Sequence, residues 1–92
     1  MAIVIRHDSD SRRFAADVDG ATAYIAYREI EGRALDLDHT FVPKASRGGG
    51  IASQLTAHAL EYAREHGFRV VPSCPFVAAY VARHSEYHDL LA

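Results

Sequence analysis

The sequence predicts an α+β fold, with one mixed, mostly antiparallel sheet of about five strands and two main helices packed on it. Three observations predict it. Residues 3–42 hold β-rich runs separated by turn residues, and residues 51–66 repeat apolar side chains at spacings of three and four. A short apolar run at 68–72 then precedes a helical segment that opens with Pro75.

Ile3 to Arg6 and Arg12 to Val18 read as a hairpin, because His7-Asp8-Ser9-Asp10-Ser11 supplies turn-forming side chains between them. Asp19-Gly20 reads as a tight turn. Ala21 to Ile30, rich in Tyr, Ile and Thr, is the next strand, and Glu31-Gly32 breaks it before Arg33 to Val42. In that last run Leu35, Leu37, His39 and Phe41 alternate with Asp36, Asp38 and Thr40. A period of two puts the first set on a core and the second toward solvent. The four strands are expected as an antiparallel meander. Pro43 has no backbone donor and suits the end of the fourth.

After the glycines, Ile51, Ala52, Leu55, Ala59, Leu60, Tyr62 and Ala63 form the apolar stripe of a helix of about four turns, and Gln54, Glu61 and Arg64 take its other faces. Gly67 is its expected C-terminal cap. Phe68 to Pro72 is a short strand able to join the sheet. A second helix runs from Pro75 to Arg83 or His84, followed by a short helical tail over residues 85–91.

At 92 residues the chain is expected as one small domain, residues 1–92. Such a domain buries roughly 60 to 65% of its unfolded surface, which leaves both a monomer and a weak homodimer open. The formal net charge is −2, so no basic field gathers nucleic acid. Met1 to Asp8 lack the apolar core of a leader, and no apolar run approaches the ~20 residues that span a bilayer. The expectation is a cytoplasmic protein with neither nucleic-acid nor membrane partners. One cysteine, Cys74, excludes an internal disulfide. Of six histidines only His84 and His88 share a helical i, i+4 spacing, without a carboxylate or second pair, so no metal is expected.

The most informative stretch is Arg47-Gly48-Gly49-Gly50-Ile51-Ala52. A nucleotide P-loop needs Lys-Ser/Thr after its last glycine, and here Ile51-Ala52 follow. A dinucleotide turn needs a third glycine where Ser53 stands. Two readings remain open from spacing alone. The amides of the glycines and of the helix's first turn make an anion site beside Lys44 and Arg47, or the glycines only let a strand reverse into a helix.

At residue level the sequence resembles the GNAT superfamily of N-acetyltransferases, whose coenzyme motif is Gln/Arg-x-x-Gly-x-Gly/Ala. Residues 39–84 look like its small single-domain YjdJ-type branch, through His39-Thr40, Val42-Pro43, the glycine turn, Val71-Pro72, Cys74-Pro75-Phe76 and Tyr80 in order. The chain is shorter than an ordinary GNAT enzyme and lacks the early helices that usually help form an acceptor pocket. The resemblance implies acetyl-coenzyme A as co-substrate, with no metal, and acetyl transfer to an unidentified amine, on a small molecule or a protein, by direct attack in a ternary complex. It also implies that the strand ending at Val42 splays from the strand of residues 68–74. Phe41, Val42, Arg47, Gly48, Gly49, Gly50, Ile51, Ala52, Cys74, Pro75 and Tyr80 are then the expected coenzyme-binding residues. A module that binds the coenzyme, or a protein partner, without turnover is the alternative.

Acetyl transfer needs a neutral nucleophile, a polarised carbonyl and a group to protonate or stabilise the departing thiolate. Tyr80 stands where many GNAT enzymes present a hydroxyl to the coenzyme sulfur, although Phe76, Val77, Tyr80 and Val81 also form an apolar stripe. Cys74, at a strand end, is either a buried thiol or one that meets the thioester. His39, on the apolar face of its strand, is expected to be partly buried and near Cys74 across the sheet, as a general base or as a satisfied core imidazole. Asp38 reads as a solvated charge, and Glu86, Tyr87 and His88 as tail residues outside the site.

Overall fold

The computed structural model describes residues 3–92; Met1 and Ala2, the start of the segment read for a leader, lie outside them. Five strands form one sheet in chain order: β1 (Arg6–Asp8), β2 (Arg13–Val18), β3 (Ala21–Ile30), β4 (Ala34–Phe41) and β5 (Arg69–Val71). The first four make an antiparallel meander, and β5 adds to β4 in parallel. Helix α1 (Ile51–His66) connects β4 to β5, and α2 (Pro75–Arg83) and a 3-10 segment (Ser85–Leu90) complete the fold. The α+β class with a mixed, mostly antiparallel sheet is as the sequence predicts.

Turn chemistry fixes the meander. Asp19 and Gly20 both hold positive φ and form a two-residue hairpin loop, with Val18 opposite Ala21. The first hairpin differs from its expected bounds. Asp8 accepts from the Ser11 amide and Arg12 closes on the Ser9 carbonyl, so the turn contracts to residues 9–12. His7 and Asp8 are thereby drawn into β1, opposite Phe14 and Arg13.

One face of the sheet, through Phe14, Ile25, Tyr27, Leu35 and Leu37, packs on Ile51, Leu55, Ala59, Leu60 and Ala63 of α1. Gly67, at φ 74°, caps α1, and the Phe68 amide reaches the Ala63 carbonyl. The C-terminal segment is clamped back: Arg64 holds both carboxylate oxygens of Asp89, Tyr87 and Leu90 are buried, and Leu91 bridges to Val70. No helix among the described residues is long and apolar enough to cross a membrane.

The largest departure from the sequence reading lies in β4. Its pairing with β3 slips by one residue: Leu37 faces Tyr27, but His39 faces Ala26, leaving Asp38 as an extra residue in a bulge. The alternation therefore changes sides. Thr40 pairs with buried Ile25 and turns toward the core face, while His39 and Phe41 join Tyr24 on the opposite, open face. His39 is exposed, so its expected burial beside Leu35 and Leu37 is overturned by the bulge. Asp36, expected in solvent, is only 5% exposed, because Arg28 covers it at 2.7 Å and also reaches Asp38 at 3.3 Å.

Deleting Asp38 removes the bulge and leaves a regular alternation in which Leu37 and Thr40 face the core while His39 and Phe41 stay on the open face. Thermal or denaturant unfolding is expected to stay within about 1 kcal/mol of the wild type, because no buried side chain changes face. A loss well beyond that would mean that the bulge itself holds the fold together.

Candidate functional site

Beyond the bulge β4 parts from its parallel neighbour. Pairing with β5 ends at Asp36 opposite Val71, the Ser73 amide turns back to the Val71 carbonyl, and the Cys74 amide donates to the Leu37 carbonyl at 2.9 Å. Past that link no residues of β5 flank β4, and Pro75 starts α2 instead. A cleft of about 450 Å³ lies between the end of β4 and the beginnings of α1 and α2. Thr40, Phe41 and Val42 line it from β4, Ser46, Arg47 and Gly48 from the loop, Gly50, Ile51, Ala52 and Ser53 from the start of α1, and Cys74 and Phe76 from α2.

The loop end is built for negative charge. Gly50 is the N-cap of α1 in the left-handed region at φ 79°, so no side chain caps the helix, and no acidic residue occupies its first turn. Gly48 also holds positive φ, at 89°, whereas Gly49 does not. A Cβ added at Gly48 or Gly50 would meet nothing within 4 Å, so the demand for glycine there is backbone conformation and open approach rather than packing. Arg47 Nε donates to the Val42 carbonyl at 2.9 Å and ties the loop to the end of β4.

The opposite end is small and polar. Cys74 is 7% exposed and is the N-cap of α2, with Pro75 in the first turn. Its Sγ lies 3.5 Å from the Thr40 hydroxyl. Burial pushes the thiol up, but the Thr40 hydroxyl and the backbone amides of Val77, Phe76 and Thr40 outweigh it and hold the thiol below its ordinary pKa. The amides act by proximity, since the sulfur completes no cap hydrogen bond. The polar neighbour of Cys74 is thus Thr40, placed by the bulge, and not His39.

Of the residues expected from the sequence, Phe41, Val42, Arg47, Gly48, Gly50, Ile51, Ala52 and Cys74 line the cleft, while Gly49, Pro75, Tyr80 and His39 are not among its walls. Tyr80 is 8% exposed in the core, its ring stacked on His84 at 3.9 Å. Burial, reinforced by Glu86 and Glu61, raises its phenol, which stays protonated. Thr40, Ser46, Ser53 and Phe76 line the cleft without having been named as site residues, although Thr40 and Phe76 stand within the His39-Thr40 and Cys74-Pro75-Phe76 signatures. Among the described residues no three or more His, Cys, Asp or Glu side chains gather as a metal site.

Comparison with known proteins agrees with this geometry. The sequence profile of the GCN5-related N-acetyl-transferases matches residues 13–90. Protein NATD1 of Mus musculus is 35% identical over 81 residues, covering 86% of this chain and 74% of its own length. Protein NATD1 of Homo sapiens is 35% identical over the same number, covering 86% and 72%. The solution NMR structure of a GCN5-like protein from Staphylococcus aureus superposes with a TM-score of 0.76 at 26% identity, covering 97% of this chain and 87% of that one. The chain belongs to the GCN5-related N-acetyltransferase family.

Proposed function

We propose that the cleft binds acetyl-coenzyme A and that the chain transfers its acetyl group to an amine by direct attack in a ternary complex. The observation that carries this reading is the fork at β4, whose cleft runs from an uncapped, glycine-led helix start to the contact between Thr40 and Cys74. A diphosphate fits the chemistry of the first end, where amides converge and no Cβ intrudes. Arg47, steadied by the Val42 carbonyl, would hold the anion at the rim. The backbone of Thr40 to Val42 offers the pantetheine arm an extended edge.

At the polar end the thioester supplies the acetyl group. The amine nitrogen bonds to the carbonyl carbon, the carbon–sulfur bond breaks, and the departing thiolate takes a proton from the Cys74 thiol in contact with Thr40. The cysteine regains that proton from the nitrogen of the new amide. Tyr80 supports α2 from within the core in this scheme, and His39 serves on the open face rather than at the thioester.

One observation favours a second reading, a coenzyme-binding module without turnover. Among the described residues no helix packs on the sheet face that carries Tyr24, His39 and Phe41, so no wall encloses an acceptor there.

Calorimetry with acetyl-coenzyme A is expected to show saturable binding to the wild type. Arg47→Ala loses a charge-assisted contact of about 1.5–3 kcal/mol, which weakens affinity by roughly 10-fold or more, and Gly50→Val weakens it through backbone strain. Absence of binding at millimolar ligand would overturn the assignment.

Thiol release with polyamines, amino acids and basic peptides tests the chemistry. Turnover with at least one amine is expected, and Cys74→Ala is expected to lower it by roughly 10-fold or more with little change in affinity. Undiminished turnover in that variant would remove Cys74 from the reaction, and binding with no turnover across the panel would select the module.

A further inference from the structure

His7 lies on β1, the edge of the sheet opposite β5 and outside the lining of the cleft, in a corner that the proposed chemistry does not use. β1 is short, with three residues paired to β2, and His7 is the middle one. Its ring stacks on Phe14 at 4.4 Å, meets Tyr62 of α1 edge-on at 4.6 Å, and bonds through Nε2 to the Tyr27 hydroxyl of β3. One imidazole therefore ties β1 to both the sheet and the helix.

Two further imidazoles share this corner on α1. His58 meets Phe14 edge-on at 5.4 Å, and His66 stacks on Tyr62 at 4.1 Å. Burial holds the Tyr27 phenol above its ordinary pKa, so the hydroxyl is available to donate to a neutral Nε2. The charged groups around His7 divide in sign. His58 and His66 oppose its protonation, Asp8 on β1 and Glu29 on β3 favour it, and burial adds to the opposition and prevails, holding the imidazole below its ordinary pKa. Arg12 acts on Tyr27, and Arg13, which stacks over Tyr24, acts on Asp8 as a nearby positive charge.

We propose that β1 is a pH-sensitive latch, clamped to the sheet and to α1 while His7 is neutral and released when acid charges it beside His58 and His66. The sign follows from linkage. A histidine whose folded pKa is depressed contributes stability that is present above its unfolded value of about 6.5 and is lost as pH falls through the folded value. Release uncovers Phe14 and leaves the Arg13 to Ala15 edge of β2 unpaired. It is local, because β3 and β4 pair along seven positions and do not depend on β1. None of His7, His58 and His66 lines the cleft, so the latch stands or falls independently of the coenzyme assignment.

Amide exchange followed by NMR between pH 7.5 and 5, corrected for intrinsic rates, tests this on the whole chain. Protection at Arg6 and Asp8, whose amides face β2, is expected to fall by up to about 10-fold for each unit of pH between about 6.5 and the folded pKa, while amides at the β3–β4 pairing keep theirs. His7→Phe is expected to remove the pH dependence, and the double variant His58→Gln, His66→Gln to move release to lower pH. Constant protection of β1 down to pH 5 would overturn the latch. So would an unchanged midpoint in the double variant, which tests the idea even if His7→Phe fails to fold.

Discussion

The extra residue in β4, Asp38, sets the direction of every side chain that follows it in that strand. Without the slip, Thr40 would face solvent and His39 and Phe41 would crowd the helices. With it, Thr40 points at Cys74, and β4 stays paired with β3 through Phe41 while its pairing with β5 stops at Asp36. A bulge increases local twist, and here it lies at the point where pairing to β5 stops. The cleft is the space opened by one unpaired residue.

The arms of the fork are held at its apex. The Cys74 amide bonds to the Leu37 carbonyl, and Asp36 is buried between the strands under Arg28. Ser73 lowers the Asp36 pKa first, burial opposes it, and Arg28 adds to the lowering, so the carboxylate stays ionised. The Arg28 side chain is 67% exposed, so its pairing with Asp36 and Asp38 orients the strand more than it stabilises the fold. The C-terminal clamp does comparable work behind the cleft, where Arg64, Tyr87 and Leu91 keep α1, α2 and β5 in one block. In a chain this small such clamps matter, since the core alone leaves little margin.

Most of the fold was legible in the sequence because its signals are local. Asp19-Gly20 dictates a tight hairpin, the stripe from Ile51 to Ala63 dictates a helix, and Gly67 and Pro75 punctuate its surroundings. The glycine run was legible only as a choice between an anion site and a reversal into a helix, and which of its glycines take the left-handed region, Gly48 and Gly50, was not. Nor was the bulge. Leu35, Leu37, His39 and Phe41 keep an unbroken period of two across it, so the residues conceal a slip that only pairing with Tyr27 and Ala26 reveals. Thr40 was lost to the same concealment and His39 was given its place. The lowered Cys74 thiol was also hidden, because its cause is a hydroxyl 34 residues away and amides at a helix start rather than a basic neighbour in sequence.

The cleft joins two kinds of environment that neither element makes alone: a helix start without a side-chain cap and with little steric bulk, and a buried thiol beside a hydroxyl at the fork. The central claim is that the bulge exists to expose the end of β4 to an extended ligand. Mapping amide chemical shifts during titration with coenzyme A tests it most directly. The account predicts that the largest changes fall at Thr40, Phe41 and the Gly48 to Ser53 amides, with Cys74 following. Changes confined to β1 and β2, or none at saturating coenzyme, would contradict it.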